Sequence, residues 1–151
     1  DKRKLDFDCI LLGKNKQKKS GYYEKFIQRF PNRILHAGYC KTFEEYASLL
    51  WKADTCPITS IQDFFGISIA EAVYCNTYPL LPKRLTYPEI YNKQINEHLF
   101  YNDKKDLINK VEILIKNKEV DSEDIPRNLI EQFDWSHMIK KYDQLFDSIL
   151  Q

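Results

Sequence analysis

The feature that most constrains the fold is an alternation of short apolar segments with amphipathic ones. Five runs rich in β-branched and aromatic residues have the length and composition of strands: residues 7–12, 33–37, 55–59, 78–81 and 98–101. Between them lie segments whose apolar residues recur every three or four positions, as in helices with one buried face. Strands that alternate with helices through short loops favour right-handed βαβ units. We therefore predict an α/β fold with a parallel sheet and helices on both faces.

The boundaries of several helices are marked by local chemistry. Thr42 and Glu45 have the spacing of a capping box, in which each side chain satisfies a free backbone N–H at the start of a helix. Pro31 ends the preceding helical segment, because proline cannot continue the hydrogen-bond ladder of a helix. The predicted helices cover residues 23–30, 42–50, 67–75 and 103–116, and two final helices begin near residues 126 and 136.

Length, charge and cysteine usage restrict the class of protein. The 151 residues correspond to one domain, and 23 Lys and Arg against 22 Asp and Glu leave a formal charge of +1. No overall field therefore attracts nucleic acid or an anionic membrane. The apolar runs are much shorter than the roughly 18 residues of a membrane span, so we predict no membrane segment. The four cysteines form no Cys-x-x-Cys pair, which favours reduced, partly buried thiols and a cytoplasmic location.

The glycines and potential metal ligands exclude several classes of site. The chain has four glycines, and no two have the spacing of a dinucleotide fingerprint or a P-loop. NAD enzymes and P-loop NTPases are therefore disfavoured. Histidines, cysteines and carboxylates show no cluster with metal-ligand spacing, so we predict neither a metal nor a cofactor.

The most informative segment is residues 63–72, where Asp63 and Glu71 flank the start of a predicted helix at Gly66. Gly66 lets the main chain approach a ligand, and the free N–H groups of the first turn attract a phosphate or a sugar oxygen. From within the helix, Glu71 can accept hydrogen bonds from two vicinal hydroxyls. The alternative is that Asp63 caps the helix and Glu71 pairs with a surface Lys or Arg. Apolar neighbours on both sides make Glu71 unfavourable without a partner.

This segment resembles the Glu, seven residues, Glu motif of retaining GT-B glycosyltransferases of the family-four type. Further segments extend the resemblance from about residue 7 to the end of the chain. They are Ala53-Asp54, Phe64-Phe65-Gly66, residues 71–75, Tyr78-Pro79-Leu80, Pro82-Lys83, residues 87–90 and Phe133-x-Trp135. The resemblance implies that residues 1–151 form the Rossmann-like, nucleotide-sugar-binding C-terminal domain of such an enzyme. The acceptor domain and the first strand of the C-terminal domain are expected to lie outside this sequence.

The resemblance assigns roles at the donor site. Glu71 would bind the ribose, and Asp63 would hold hydroxyls of the transferred sugar, so these two acids are the predicted catalytic residues. Main-chain N–H groups would meet the sugar and the diphosphate at Phe65, Gly66 and Ile67.

Residues outside the motif have two interpretations each. Tyr39 would stack on the base, or else it is a structural tyrosine. Lys83, together with Arg84, would neutralise donor phosphate or remain a surface charge. The turn at Tyr87-Pro88-Glu89 places a glutamate either near the ligand or in a structural role. A basic loop at residues 14–19 would contact a tRNA acceptor or remain solvated.

The substrates implied by the resemblance are GDP-mannose as donor and a nucleoside or tRNA as acceptor. Transfer would retain the anomeric configuration, with the departing diphosphate helping to deprotonate the acceptor on the same face. Because the cleft needs both domains, we expect the isolated chain to be inactive. The main alternative is a non-catalytic interaction module that has lost its donor site. A phospho-receiver is disfavoured, because Gly13-Lys14 and Thr59-Ser60 occupy the places of its acidic residues.

Three positions depart from the usual pattern of the family or of the fold. Asp63 replaces the usual Glu, and its shorter side chain leaves the choice of donor open. Asn76 replaces the Gly that usually follows the motif helix, and Asn is the next best residue for a left-handed helix end. Pro57 is expected to interrupt a central strand, where its missing N–H would cost a hydrogen bond of the sheet.

Overall fold

The computed structural model describes residues 4–13, 21–117 and 121–149, so the basic loop predicted at residues 14–19 lies outside the described residues. All five predicted strands are present within these ranges. They are β1 (Cys9–Leu12), β2 (Ile34–Gly38), β3 (Thr55–Pro57), β4 (Tyr78–Pro82) and β5 (Phe100–Tyr101). Each pairing between them is parallel. The predicted α/β fold class is confirmed.

The helices also follow the amphipathic pattern of the sequence. They are α1 (Tyr22–Arg29), α2 (Phe43–Trp51), α3 (Ile67–Tyr74), α4 (Tyr87–Ile90), α5 (Lys104–Asn117), α6 (Arg127–Glu131) and α7 (Trp135–Ile149). Six of them lie where the sequence predicts helices. The exception is α4, a single turn in place of the predicted turn at Tyr87-Pro88-Glu89. Pro88 is compatible with helix there, because the first turn of a helix has no intrahelical partner for its N–H groups.

The strands form two sheets, whereas the sequence predicts one. β1 pairs with β2, and β3, β4 and β5 form a second sheet in which β4 is central. This arrangement explains the proline of β3. The N–H of Ile58 donates to the carbonyl of Leu80 at 2.9 Å, so the nitrogen of Pro57, one residue earlier, faces away from β4. In the described sheet, Pro57 therefore lies on an edge and costs no hydrogen bond with β4, which corrects the prediction of an interrupted central strand.

The core surrounds the three-stranded sheet. Side chains of α3, β4, α4 and the segment leading into β5 form one cluster, and Val73, Leu81, Tyr87 and Leu99 have no exposed surface. A smaller cluster joins α2 to α3 through Leu50, Ala72 and Cys75, with Leu12 and Tyr46 packed against it. Among the described residues, none that precedes Leu50 is buried. The two sheets therefore differ greatly in how well they are packed.

Two further observations concern the class of protein. The four cysteines are free thiols, and burial raises the pKa of Cys56 above its usual value. Within the described ranges, no helix combines the length and the apolar character needed to cross a bilayer.

Candidate functional site

The start of α3 has an unusual backbone conformation. Gly66 precedes the helix with φ 78° and ψ 47°, which lies in the left-handed region that favours glycine. No side chain caps the helix at this end. Asp63 therefore does not act as the cap of α3, which was one of the two interpretations of this residue.

The space beside Gly66 is filled by protein. A Cβ atom at this position would lie 3.1 Å from Cε1 of Tyr87, 3.2 Å from Cδ1 of Ile69 and 3.6 Å from Oδ2 of Asp63. Glycine is thus required by packing as well as by conformation. The next residue, Ile67, is 66% exposed, so the free N–H groups of the first turn begin at a surface residue.

Asp63 is half-buried and is held by Tyr87. The Tyr87 hydroxyl donates a hydrogen bond to Oδ2 of Asp63 at 2.9 Å. Burial, followed by this contact with a carboxylate, raises the pKa of Tyr87 to about 12. The hydroxyl therefore keeps its proton at neutral pH and remains a hydrogen-bond donor.

Glu71 is also half-buried, and it is held by a tyrosine from a different element. The hydroxyl of Tyr46, on α2, donates to Oε2 of Glu71 at 2.7 Å. Burial and then Glu71 itself raise the pKa of Tyr46 well above its usual value. Within the described part of the chain, no Lys or Arg forms an ion pair with Glu71. The interpretation of Glu71 as one half of a surface salt bridge is therefore not supported.

The loop between β3 and α3, which carries Asp63, is fastened by the residues that follow β4. The guanidinium of Arg84 donates to the carbonyl of Ser60 from Nε at 3.1 Å and from Nη2 at 2.7 Å. The Thr86 hydroxyl donates to the carbonyl of Phe64 at 2.8 Å. Together with the Tyr87 hydroxyl, these contacts hold the loop at three points. Arg84 therefore has a structural partner, whereas the sequence left it open between neutralising phosphate and remaining a surface charge.

The remaining predicted residues occupy different environments. The ring of Phe65 packs edge-on against Phe133, with centroids 5.0 Å apart. Tyr39 follows β2 and is 68% exposed. Lys83 forms an ion pair with Glu97, and this contact lowers the pKa of the Glu97 carboxyl. In the described residues, neither Tyr39 nor Lys83 forms a hydrogen bond or an ion pair with the two acids.

The sequence analysis did not identify the two tyrosines as partners of the acids. Tyr46 is separated from Glu71 by 25 positions, and Tyr87 from Asp63 by 24, so no local spacing reveals either contact. A weaker signal exists, because a tyrosine in an apolar segment usually finds a hydrogen-bond partner for its hydroxyl when it is buried. That rule calls for a partner, but it does not say which one.

The arrangement provides two negatively charged acceptor groups, each partly accessible and each held by a neutral donor. A carboxylate offers about four acceptor positions on its two oxygens, so a single tyrosine leaves most of them open. Such a pair suits a ligand rich in hydroxyl groups. Among the described residues, no three His, Cys, Asp or Glu side chains come together in a way that could hold a metal ion.

Comparison with known proteins gives a similarity to a glycosyltransferase. No protein-family model matches the chain. The chain is similar to the tRNA-queuosine alpha-mannosyltransferase of Drosophila melanogaster, with 32% identity over 92 residues. The matched residues make up 61% of this chain and 24% of the fly protein, so the match spans about a quarter of that relative. The similarity supports a relationship to glycosyltransferases.

Proposed function

We propose that this chain is the donor-binding part of a retaining glycosyltransferase of the GT-B, family-four type. The observation that carries the proposal is the pair of half-buried acids at the start of α3, Asp63 and Glu71, each held by a tyrosine hydroxyl. A carboxylate that is oriented but not neutralised can accept hydrogen bonds from sugar hydroxyls. The similarity to a protein named as a mannosyltransferase supports the same assignment.

In this proposal the two acids bind opposite ends of the nucleotide sugar. Glu71 accepts hydrogen bonds from the ribose, and Asp63 accepts them from the sugar that is transferred. The backbone N–H groups at residues 65–67 approach the sugar and the diphosphate, where the positive end of the helix dipole favours negative charge. Tyr39, largely exposed after β2, is available to stack on the base. Lys83 would exchange Glu97 for a phosphate oxygen.

The proposed donor is GDP-mannose, and the proposed acceptor is a nucleoside or a tRNA. The name of the fly relative supports mannose as the sugar and a tRNA nucleoside as the acceptor. The acceptor-binding part would come from residues outside this sequence, so we propose that the isolated chain binds the donor without turning it over. A cytoplasmic location is part of the same proposal, since the fly relative is named for an action on tRNA.

The contribution of the protein to transfer would be geometric and electrostatic. The site would hold the anomeric carbon near the acceptor oxygen and stabilise the charge on the departing diphosphate. The diphosphate would take up the proton of the acceptor on the face that it leaves, which retains the anomeric configuration. In this scheme Asp63 and Glu71 orient the donor.

Titration calorimetry with GDP tests the ribose assignment. We expect Glu71→Ala to weaken binding by about 1.5–3 kcal/mol, roughly ten- to a hundredfold, because charge-assisted hydrogen bonds to the ribose are lost. Glu112→Ala is the matched control, since Glu112 lies on α5 and pairs with Lys116. Equal affinity of Glu71→Ala and the parent chain for GDP would reject the assignment. A folded chain that binds none of GDP, UDP and ADP would favour the non-catalytic module instead.

A further inference from the structure

We infer that Tyr46 and Tyr87 are the positioning residues of the acid pair, each turning one carboxylate so that its second oxygen faces the hydroxyls of the ligand. The inference rests on the proposed function and adds two residues, with separate roles, to it. Neither tyrosine belongs to the Asp63–Glu71 segment, and both reach it from other elements of the fold.

The two contacts have the same chemistry. Each consists of a tyrosine hydroxyl donating to one carboxylate oxygen, at 2.7 Å for Tyr46 and Glu71 and at 2.9 Å for Tyr87 and Asp63. In the described residues, the other oxygen of each acid accepts no hydrogen bond from the protein. The free oxygen of each acid is therefore available to a ligand.

A tyrosine is suited to this task in a way that Lys or Arg is not. A cation would orient the carboxylate but would also neutralise it and take up its strongest acceptor positions. The phenol is neutral, and its aromatic ring is fixed by packing, so it restricts the carboxylate without cancelling the charge. For a ligand that presents hydroxyl groups, the remaining negative charge strengthens each hydrogen bond.

The two tyrosines belong to different parts of the fold, which separates their roles. Tyr87 is fully buried, and its ring packs beside Gly66, so it fixes Asp63 relative to the first turn of α3. Tyr46 comes from α2, and it contacts Glu71, which lies on α3 one turn beyond its first turn. Tyr46 should therefore affect the nucleoside end of the donor, and Tyr87 the sugar end.

The experiment compares GDP with GDP-mannose as ligands of the 151-residue chain. We expect Tyr46→Phe to lower the affinity for both ligands equally, by about two- to tenfold, because both ligands contain the ribose. Tyr87→Phe should leave the affinity for GDP unchanged and lower the affinity for GDP-mannose by about two- to tenfold, because only GDP-mannose carries the sugar. For Tyr87→Phe, the ratio of the affinity for GDP-mannose to the affinity for GDP should therefore change. A general loss of stability would not be expected to change that ratio.

Tyr101→Phe is the matched control. Tyr101 is also buried, and its hydroxyl donates to the carbonyl of Ile58 at 2.7 Å, so the substitution removes a comparable hydrogen bond that involves no acid. The affinities of Tyr101→Phe for both ligands should equal those of the parent chain. Weakening of GDP by all three variants alike would overturn the inference, because it would indicate a purely structural role.

The outcomes separate this inference from the proposed function. If the parent chain binds GDP and Glu71→Ala weakens it, but folded Tyr46→Phe binds as well as the parent, the positioning role is rejected and the ribose assignment survives. If Glu71→Ala has no effect, the proposed function itself fails. Should Tyr87→Phe not fold, Tyr46→Phe decides the test alone, because Tyr46 is only half-buried and its loss is better tolerated. A double mutant supports the inference if Tyr46→Phe, added to Glu71→Gln, lowers the affinity for GDP little further.

Discussion

Two regions of the molecule have similar secondary structure but very different burial. The first, residues 4–13 and 21–49, contains β1, α1, β2 and most of α2, and is called here the thin region. The second, residues 50–134, contains β3, β4 and β5 with their helices, and is called the packed region. Every buried side chain of the described residues lies in the packed region. In the thin region, Tyr22 is 76% exposed and Phe43 is 73% exposed.

The difference shows that two strands can pair without forming a buried core. β1 and β2 pair in parallel with a shift of register between Cys9 and Ile10, and the N–H of Gly13 extends the ladder to the carbonyl of Gly38 at 3.0 Å. Two strands, however, bury little apolar surface unless a further layer covers them. In the described residues, the thin region approaches the core chiefly where Leu12 and Tyr46 pack against the cluster that joins α2 to α3.

The proposed site lies across this boundary. Asp63 is held by Tyr87, inside the packed region, whereas Glu71 is held by Tyr46, from the thin region. One acid is therefore fixed by the best-packed part of the molecule. The position of the other depends on how α2 lies against α3. Perturbations of the two regions should consequently affect the two acids differently.

The largest expected effect comes from removing core volume in the packed region. Leu81 has no exposed surface, so Leu81→Ala should lower the free energy of unfolding by about 2–5 kcal/mol through lost burial and the cavity that remains. Leu35→Ala is the control in the thin region, where the side chain is 48% exposed. It should cost less than half as much, and urea unfolding measures both. Equal losses would show that the thin region is packed as well as the other.

Local patterns predicted the five strands and six of the seven helices of the described residues, because those patterns act within a few residues. Thr42 illustrates this: its hydroxyl accepts from the N–H of Glu45 at 3.2 Å, as the capping box requires. The reciprocal contact differs by one position. The carboxylate of Glu45 accepts from the N–H of Lys41 at 2.7 Å instead of from Thr42. Even here, the free donor that is reached depends on backbone geometry that the sequence does not specify.

Contacts between distant segments could not be predicted in the same way. The sequence marks Asp63 and Glu71 as acids in an apolar setting, but the tyrosines that hold them come from α2 and α4. The division into two sheets depends on which strands become neighbours, and that is decided by packing across the whole domain. The contacts that tie the loop after β3 to the residues after β4 were missed for the same reason.

A smaller expected effect on stability distinguishes a glycine of the packed region from one of the thin region. Gly66 and Gly21 both precede helices with positive φ, 78° and 57°, so alanine at either position carries the backbone cost of about 1–2 kcal/mol. At Gly66 the added methyl group would also crowd Tyr87 and Ile69, whereas at Gly21 it would meet nothing within 4 Å. Gly66→Ala should therefore be the more destabilising variant by about 1–3 kcal/mol.

Urea unfolding of the two alanine variants gives this difference directly. Tyr87 cannot move aside freely, because it is fully buried and its hydroxyl is bonded to Asp63. If Gly66→Ala and Gly21→Ala were equally destabilised, the ring of Tyr87 would not be held firmly in place. The packed region would then offer Asp63 no more rigid a support than the thin region offers Glu71.

The smallest expected effect concerns the cap of α2. Thr42→Ala removes the side-chain acceptor for the N–H of Glu45 and should cost about 1 kcal/mol of stability. Thr42→Ser keeps the hydroxyl and should retain most of the stability that the cap provides. Tyr46 lies in the turn that this cap begins, and its N–H donates to the carbonyl of Thr42 at 3.2 Å. Because the thin region has little burial to hold α2 in place, loss of the cap should loosen the turn that carries Tyr46. Hydrogen exchange should therefore accelerate at the Tyr46 amide and remain unchanged at the Val73 amide in α3. Unchanged exchange at Tyr46 would mean that packing against α3, rather than the cap, holds the tyrosine opposite Glu71.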